Sequence, residues 1–136
     1  MKIGTQLQHG IAIVFAMIAL LGQSGCTTLA DARAGKGSGV SRTYDASVDK
    51  VWSVLPAAVK ELGLDYVAEN KAEGYALAQR SMTAFSYGEN VAIFVEKVGN
   101  EVRTRVEVVS KKSVQTTIFA PDWAEPLLNK IGEKLK

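Results

Sequence analysis

The spacing of the apolar residues changes at Gly63, and this change constrains the fold more than any other feature of the sequence. Before Gly63 the apolar residues recur at steps of three and four, which predicts one face of an amphipathic helix. After Gly63 they alternate with polar residues, which predicts β-strands. The helical residues are Val48, Val51, Trp52, Leu55, Val59 and Leu62.

The helix has predictable limits. Ser47 is a suitable N-cap, because its hydroxyl can accept a hydrogen bond from the first turn, and Gly63 suits the helix end. Pro56 removes one backbone hydrogen bond inside the pattern and is expected to bend the helix. A first strand, Val40 to Asp45, is predicted before it.

Four or five antiparallel strands are predicted after the helix. Gly99-Asn100 suits a type II′ hairpin turn. In the strand that follows, Glu101, Arg103, Arg105 and Glu107 alternate in sign, and we interpret them as a solvated face opposite Val102, Thr104, Val106 and Val108. The other predicted strands are Leu64 to Ala68, Tyr75 to Arg80 after a turn over Asn70 to Gly74, Val91 to Val95, and Val114 to Phe119.

A second amphipathic helix closes the chain. Its apolar residues are Trp123, Leu127, Ile131 and Leu135, with Asp122 near the start and Pro126 in the first turn. Strands flanked by two helices predict an α+β fold. The expected order along the chain is a strand, a helix, an antiparallel meander of four to five strands and a second helix, with both helices on one face of the sheet.

Residues 1–25 have the layout of a signal peptide, with Lys2 before the apolar run Ile11 to Leu21. At about 1.5 Å per residue this run spans roughly half of a hydrocarbon core about 30 Å thick. A signal for export is therefore predicted here instead of a permanent membrane span.

Gly22-Gln-Ser-Gly-Cys26 resembles the lipobox of bacterial lipoproteins, with Gln23 where that family usually has leucine. The resemblance implies that the Cys26 sulfur receives a diacylglyceryl group and that cleavage leaves Cys26 as the first residue. Thr27 in the next position implies sorting to the outer membrane, facing the periplasm. The alternative is an ordinary secretory signal cut at Ala30-Asp-Ala32 or Ala32-Arg-Ala34.

Residues 26–39 combine the lipidated cysteine with a predicted flexible tether, because Thr27 to Gly39 is small, polar and rich in glycine. As a random coil this tether would span on the order of 20 Å. Residues 40–136 are predicted to form a single α+β domain.

Two stretches, Tyr44 to Ser53 and Val59 to Leu64, resemble the opening of a family of small uncharacterised bacterial lipoproteins. The domain is more distantly similar to the helix-grip domains of the lipoprotein component C of the barrel assembly machinery. These resemblances imply the fold and the location, and no activity.

Composition excludes several function classes. The chain of 136 residues has a net charge of +2, too small for a phosphate-binding footprint, so no nucleic-acid partner is expected. Its single cysteine and its single histidine, His9, both precede residue 27, so we expect no catalytic triad, metal or cofactor. Asp65, Glu69 and Glu73 are interpreted as surface residues.

Three aromatic residues are candidates for a partner surface: Phe85, Tyr87 and Trp123. Aromatic residues on a loop often anchor interfaces. The alternative is that Phe85 and Tyr87 extend the flanking strands and that Trp123 anchors its helix on the core. The sequence thus favours a non-catalytic, lipid-anchored envelope protein that binds another protein. The alternative is a carrier or sensor of a small apolar ligand, held between the sheet and the helix that contains Trp52.

Overall fold

The computed structural model describes residues 27–82, 84, 88–112 and 121–136. This part of the chain has an α+β fold with three helices and five strands. The helices are α1 (Leu29–Ala34), α2 (Val48–Glu61) and α3 (Ala124–Leu135), and the strands are β1 (Val40–Tyr44), β2 (Asp65–Asn70), β3 (Tyr75–Arg80), β4 (Glu89–Lys97) and β5 (Thr104–Lys112).

The strands form one antiparallel sheet in the order β1-β5-β4-β3-β2. Strands β2 to β5 are a meander, as the alternating pattern predicts. The first strand lies beside the last described one, so β1 and β2 are the two edges.

Helices α2 and α3 pack on one face of the sheet and enclose the main core, which confirms the predicted fold class. Ser47 caps α2, accepting a hydrogen bond from Lys50 N at 3.2 Å. The helix ends before Gly63, which has a φ of 74° that glycine adopts without strain. The core includes Val51, Trp52 and Leu55 from α2, Ile93 and Val106 from the sheet, and Leu127 and Ile131 from α3.

The start of α3 also follows the prediction. Asp122 Oδ1 accepts a hydrogen bond from Ala124 N at 2.9 Å, and Pro126 lies in the first turn, where a missing N–H costs no helical bond.

The predicted two-residue turn at Gly99-Asn100 is wrong. Val98 N donates to Arg103 O at 3.0 Å, so the hairpin loop encloses the four residues between them. Val102 consequently lies in this loop, 70% exposed, instead of facing the core.

The prediction of a flexible tether over Thr27 to Gly39 is also wrong, because Leu29–Ala34 form α1 and Ala32 is fully buried. This short helix packs on the face of the sheet opposite α2 and α3. One face thus carries both long helices as predicted, and the other carries α1, for which no helix was predicted.

The predicted strand Val114 to Phe119 and the signal segment 1–25 lie outside the described residues. Within the described ranges, no helix has the length and hydropathy needed to cross a bilayer.

Candidate functional site

The N-terminal segment, residues 27–39, begins at one end of the sheet. Thr27 Oγ1 donates to the carbonyl oxygen of Lys112 at the end of β5. The carbonyl oxygen of Thr27 accepts from Nδ2 of the buried Asn90 in β4 at 2.8 Å. Asn90 is oriented in turn by Gln79 Nε2, which donates to its Oδ1 at 3.2 Å. The residue that follows Cys26 is therefore attached to two strands.

A capping box stabilises α1. Thr28 N donates to Asp31 Oδ2 at 2.6 Å, and Asp31 N donates to Thr28 Oγ1 at 3.3 Å. The hydrogen bonds from Thr28 hold the pKa of the Asp31 carboxyl below its ordinary value. A threonine followed three residues later by an acidic residue is the sequence signal that could have indicated this helix.

Ala32 fixes α1 against the sheet, where it packs with Ala92, Phe94 and Val109. Arg33 lies 4.2 Å from the centre of the Tyr75 ring and forms an ion pair with Glu73. The segment therefore has apolar, cation–π and ionic contacts with the second face of the sheet.

Glu107 holds the end of the N-terminal segment. Its Oε1 accepts from Gly37 N at 2.6 Å and from Gly39 N at 2.9 Å. A Cβ on Gly39 would lie 2.3 Å from Val108 O, so only glycine fits this close approach. The interpretation of Glu107 as part of a solvated face is wrong, because these contacts bury the carboxylate, whereas Arg105 is exposed as predicted.

The two edges of the sheet differ in regularity. In β2 the register shifts between Tyr66 and Ala68, and Val67 between them is 49% exposed. Such a bulge interrupts the row of backbone groups that an added strand would use. In contrast, β1 pairs with β5 over five consecutive residues without a shift. The edge of β1 is therefore the better template for a further strand.

A groove of about 480 Å³ runs between β1 and the end of α3, lined by Arg42, Tyr44, Asn129, Gly132, Glu133 and Lys136. Arg42 donates to Asn129 Oδ1 at 2.7 Å and to Glu125 Oε2 at 2.8 Å. Tyr44 Oη donates to Leu128 O at 2.6 Å, and burial raises the pKa of Tyr44 to about 12. These contacts fix one wall of the groove, and Glu133 and Lys136 provide opposite charges.

A second cleft lies at the other end of the sheet from Thr27. It has a volume of about 270 Å³ and is lined by Ser47 and Val48 at the start of α2 and by the hairpin loop that contains Val102. Sites for small ligands usually measure about 300 to 1,000 Å³, so this cleft is small for such a ligand.

The structure buries Trp123, one of the three predicted partner-surface residues. The residue is 8% exposed and belongs to the main core, with the Arg80 guanidinium 5.0 Å from its ring centre. Its proposed place on a partner surface is therefore wrong. It anchors α3 to the core. Phe85, Tyr87 and the predicted lipidation site Cys26 lie outside the described residues.

Trp52 is 4% exposed and packs in the main core between α2 and the sheet. This burial confirms its interpretation as a helix anchor. The indole occupies the space in which an apolar ligand was expected under the alternative function.

The three carboxylates near β2 are exposed, as predicted, and each has its own partner. Asp65 accepts from Ser81 Oγ at 3.4 Å, Glu69 from Tyr66 Oη at 2.8 Å, and Glu73 from Asn70 Nδ2 at 2.8 Å. In the described part of the chain, no cluster of three or more His, Cys, Asp or Glu residues could hold a metal ion.

Comparisons with known proteins identify no family. No family model matches the chain, and no curated protein matches it. Among solved structures, the chain is similar to CalU16 from Micromonospora echinospora, at 14% sequence identity and a TM-score of 0.47, with 71% of this chain and 73% of CalU16 covered.

Proposed function

We propose that this protein is a non-catalytic, lipid-anchored protein of the cell envelope that binds another protein along the edge of β1. The observation that supports binding is the regular edge of β1 beside the groove lined by Arg42 and Tyr44. No strand among the described residues pairs with the outer side of β1. An extended segment of a partner could therefore add to the sheet.

Strand addition suits the chemistry of this edge. Backbone hydrogen bonds supply affinity in this mode of recognition, and pockets for alternate side chains supply specificity. Ser41 and Thr43 are exposed on one side of β1. On the other side, the groove between Tyr44 and Lys136 offers an aromatic ring and charged groups to the partner's side chains.

The lipid anchor is supported by the sequence that precedes Thr27. The apolar run Ile11 to Leu21 lies a few residues upstream, and the small residues Ser24 and Gly25 come directly before Cys26, the only cysteine of the chain. Two or more acyl chains suffice for stable anchoring, since each buried CH₂ contributes about 0.8 kcal/mol. We place the protein in the outer membrane, facing the periplasm.

The alternative, a carrier of a small apolar ligand, has less support. Trp52 and Leu55 fill the space between α2 and the sheet. The cleft beside Val102 is below the usual volume of a ligand site, and the larger groove beside β1 is lined mainly by polar and charged residues, which do not suit an apolar ligand.

Photo-crosslinking in intact cells tests the binding surface. A photoreactive amino acid at Thr43 should form one dominant adduct with an envelope protein, and the same group at Val67 on the β2 edge should not. Both positions are exposed edge residues, so they form a matched pair. Equal crosslinking at the two positions, or none at Thr43, would refute strand addition at β1.

Labelling with a fatty acid tests the anchor. The wild type should incorporate the label, and Cys26→Ser should incorporate none and leave the membrane fraction or accumulate as an uncleaved precursor. Equal labelling of the two proteins would show that Cys26 carries no lipid.

A further inference from the structure

The end of the sheet at which Thr27 is attached also carries two long connections. β3 ends at Arg80 and β4 begins at Glu89, and these two residues are paired across the strands. β5 ends at Lys112, which is paired with Glu89. We call this the anchored end, defined by Thr27, Arg80, Met82, Glu89 and Lys112.

The connections at the anchored end have an unusual composition. Residues 81–88 and 113–120 contain no Asp, Glu, Lys, Arg or His, although charged residues make up 22% of the chain. The two hairpin connections at the opposite end, 71–74 and 98–103, contain Lys71, Glu73, Glu101 and Arg103. The sequence that connects the elements next to the anchored end is therefore uncharged, whereas the two hairpin connections at the opposite end contain charged residues.

Apolar exposure is also concentrated there. Met82, the first large apolar side chain after β3, is 71% exposed. Arg80 and Lys112, the last residues of β3 and β5, are partly buried, and the Arg80 guanidinium lies 5.0 Å from the centre of the Trp123 ring. An exposed apolar side chain next to an uncharged stretch of sequence suits a membrane interface, where apolar groups enter the acyl boundary.

Attachment of Thr27 determines how far this end can be from the bilayer. Consecutive Cα atoms are about 3.8 Å apart, so a lipid on Cys26 enters the membrane within one residue of the sheet. A free coil of thirteen residues would instead allow a separation on the order of 20 Å. Because Thr27 forms hydrogen bonds with Asn90 and Lys112, a lipid on Cys26 would lie next to this end of the sheet.

We propose that the anchored end lies directly on the bilayer, with Met82 in contact with lipid, so that the domain has a fixed orientation and its opposite end faces the aqueous compartment. This inference rests on the proposed lipidation of Cys26. Because Met82 is apolar, this contact does not require anionic lipid. β4 has nine residues at about 3.3 Å each, which places Val102 roughly 26 Å farther from the membrane than Met82.

Depth-dependent fluorescence quenching tests this orientation. The mature lipidated protein is reconstituted in phosphatidylcholine vesicles with brominated acyl chains, carrying a fluorophore at Met82→Cys or Val102→Cys. Both residues are exposed apolar side chains in loops, so the two variants are matched. The thiol of Cys26, the only native cysteine, is occupied by the lipid and does not compete for the label.

The Met82→Cys label should lose fluorescence in brominated vesicles relative to unbrominated ones, and the Val102→Cys label should keep it. Equal fluorescence of the Met82→Cys label in both vesicles would overturn the orientation while leaving the lipid anchor intact. Mass spectrometry of the reconstituted protein separates the two proposals, because a Cys26 without lipid would overturn the anchor and the orientation together. Quenching at both positions would show that the domain lies flat, which also contradicts the proposal.

Discussion

At the scale of single residues, Trp52 is the side chain whose removal should lower the stability of the domain most. It is almost completely buried between α2 and the sheet. Trp52→Ala should lower the free energy of unfolding by about 3 to 5 kcal/mol, because it removes apolar burial and leaves a cavity. Val102→Ala is the control, and for this exposed residue the change should stay within about 0.5 kcal/mol. Urea unfolding measures both, and similar losses in the two variants would contradict the assignment of Trp52 to the core.

Tyr44 should make stability depend on pH in the alkaline range. Its hydroxyl donates to Leu128 O, and burial raises its pKa to about 12 in the folded protein, against about 10 in an unfolded chain. The folded state holds the Tyr44 proton more tightly than the unfolded chain does. The stability that Tyr44 contributes is therefore fully present below about pH 10 and declines as the pH rises toward about 12.

Comparison with Tyr44→Phe isolates this effect. Near neutral pH the wild type should be more stable by about 1 kcal/mol, the usual contribution of one hydrogen bond. Between about pH 10 and 12 the difference should narrow, because only the wild type carries this ionisable hydroxyl. Unfolding at a series of pH values measures it, and a constant difference across this range would contradict the role of Tyr44.

At the scale of elements, α1 should stabilise the domain although it is only six residues long. Removing residues 27–38 uncovers Phe94 and Val109 and takes one of the two N–H donors from Glu107. We expect a loss of about 2 kcal/mol or more, because a hydrogen bond to a charged group contributes about 1.5 to 3 kcal/mol and the apolar contacts of α1 are lost as well. Ala34→Ser, at an exposed position of the same helix, is the control and should have little effect. An unchanged unfolding midpoint in the shortened protein would mean that the segment is only a tether.

At the scale of the whole molecule, unfolding should be a single transition. β4 contributes Ile93 to the main core and Phe94 to the smaller core under α1, so neither core can open without disturbing the same strand. Trp52→Phe leaves Trp123 as the only tryptophan, and Trp123→Phe leaves Trp52. In each variant the fluorescence and circular dichroism midpoints should coincide. An earlier fluorescence change for Trp123 would show that α3 detaches from the core before the rest of the domain unfolds.

The sequence by itself determined the elements whose signal is local. The periodicity of α2, its Ser47 cap, the turn that ends at Gly74 and the alternation of β3 each depend on residues close together in the chain, and the structure confirms all of them. The α+β class followed from their order, because helices with one apolar face must pack on a sheet. The candidate lipidation at Cys26 also has a local signal, and it stays a prediction, as do the partner residues Phe85 and Tyr87.

Only the tertiary structure decided which polar residues are buried and which edge of the sheet is open. The alternating charges of β5 predicted a solvated face, and Glu107 is buried only because Gly37 and Gly39, nearly seventy residues earlier in the chain, donate to it. Likewise, α1 has a local capping signal but is only six residues long, and it depends on Phe94 and Val109 for its apolar contacts. The edge of β1 and its groove exist because β1 pairs with β5 and lies against α3, an arrangement of distant segments that no local spacing encodes.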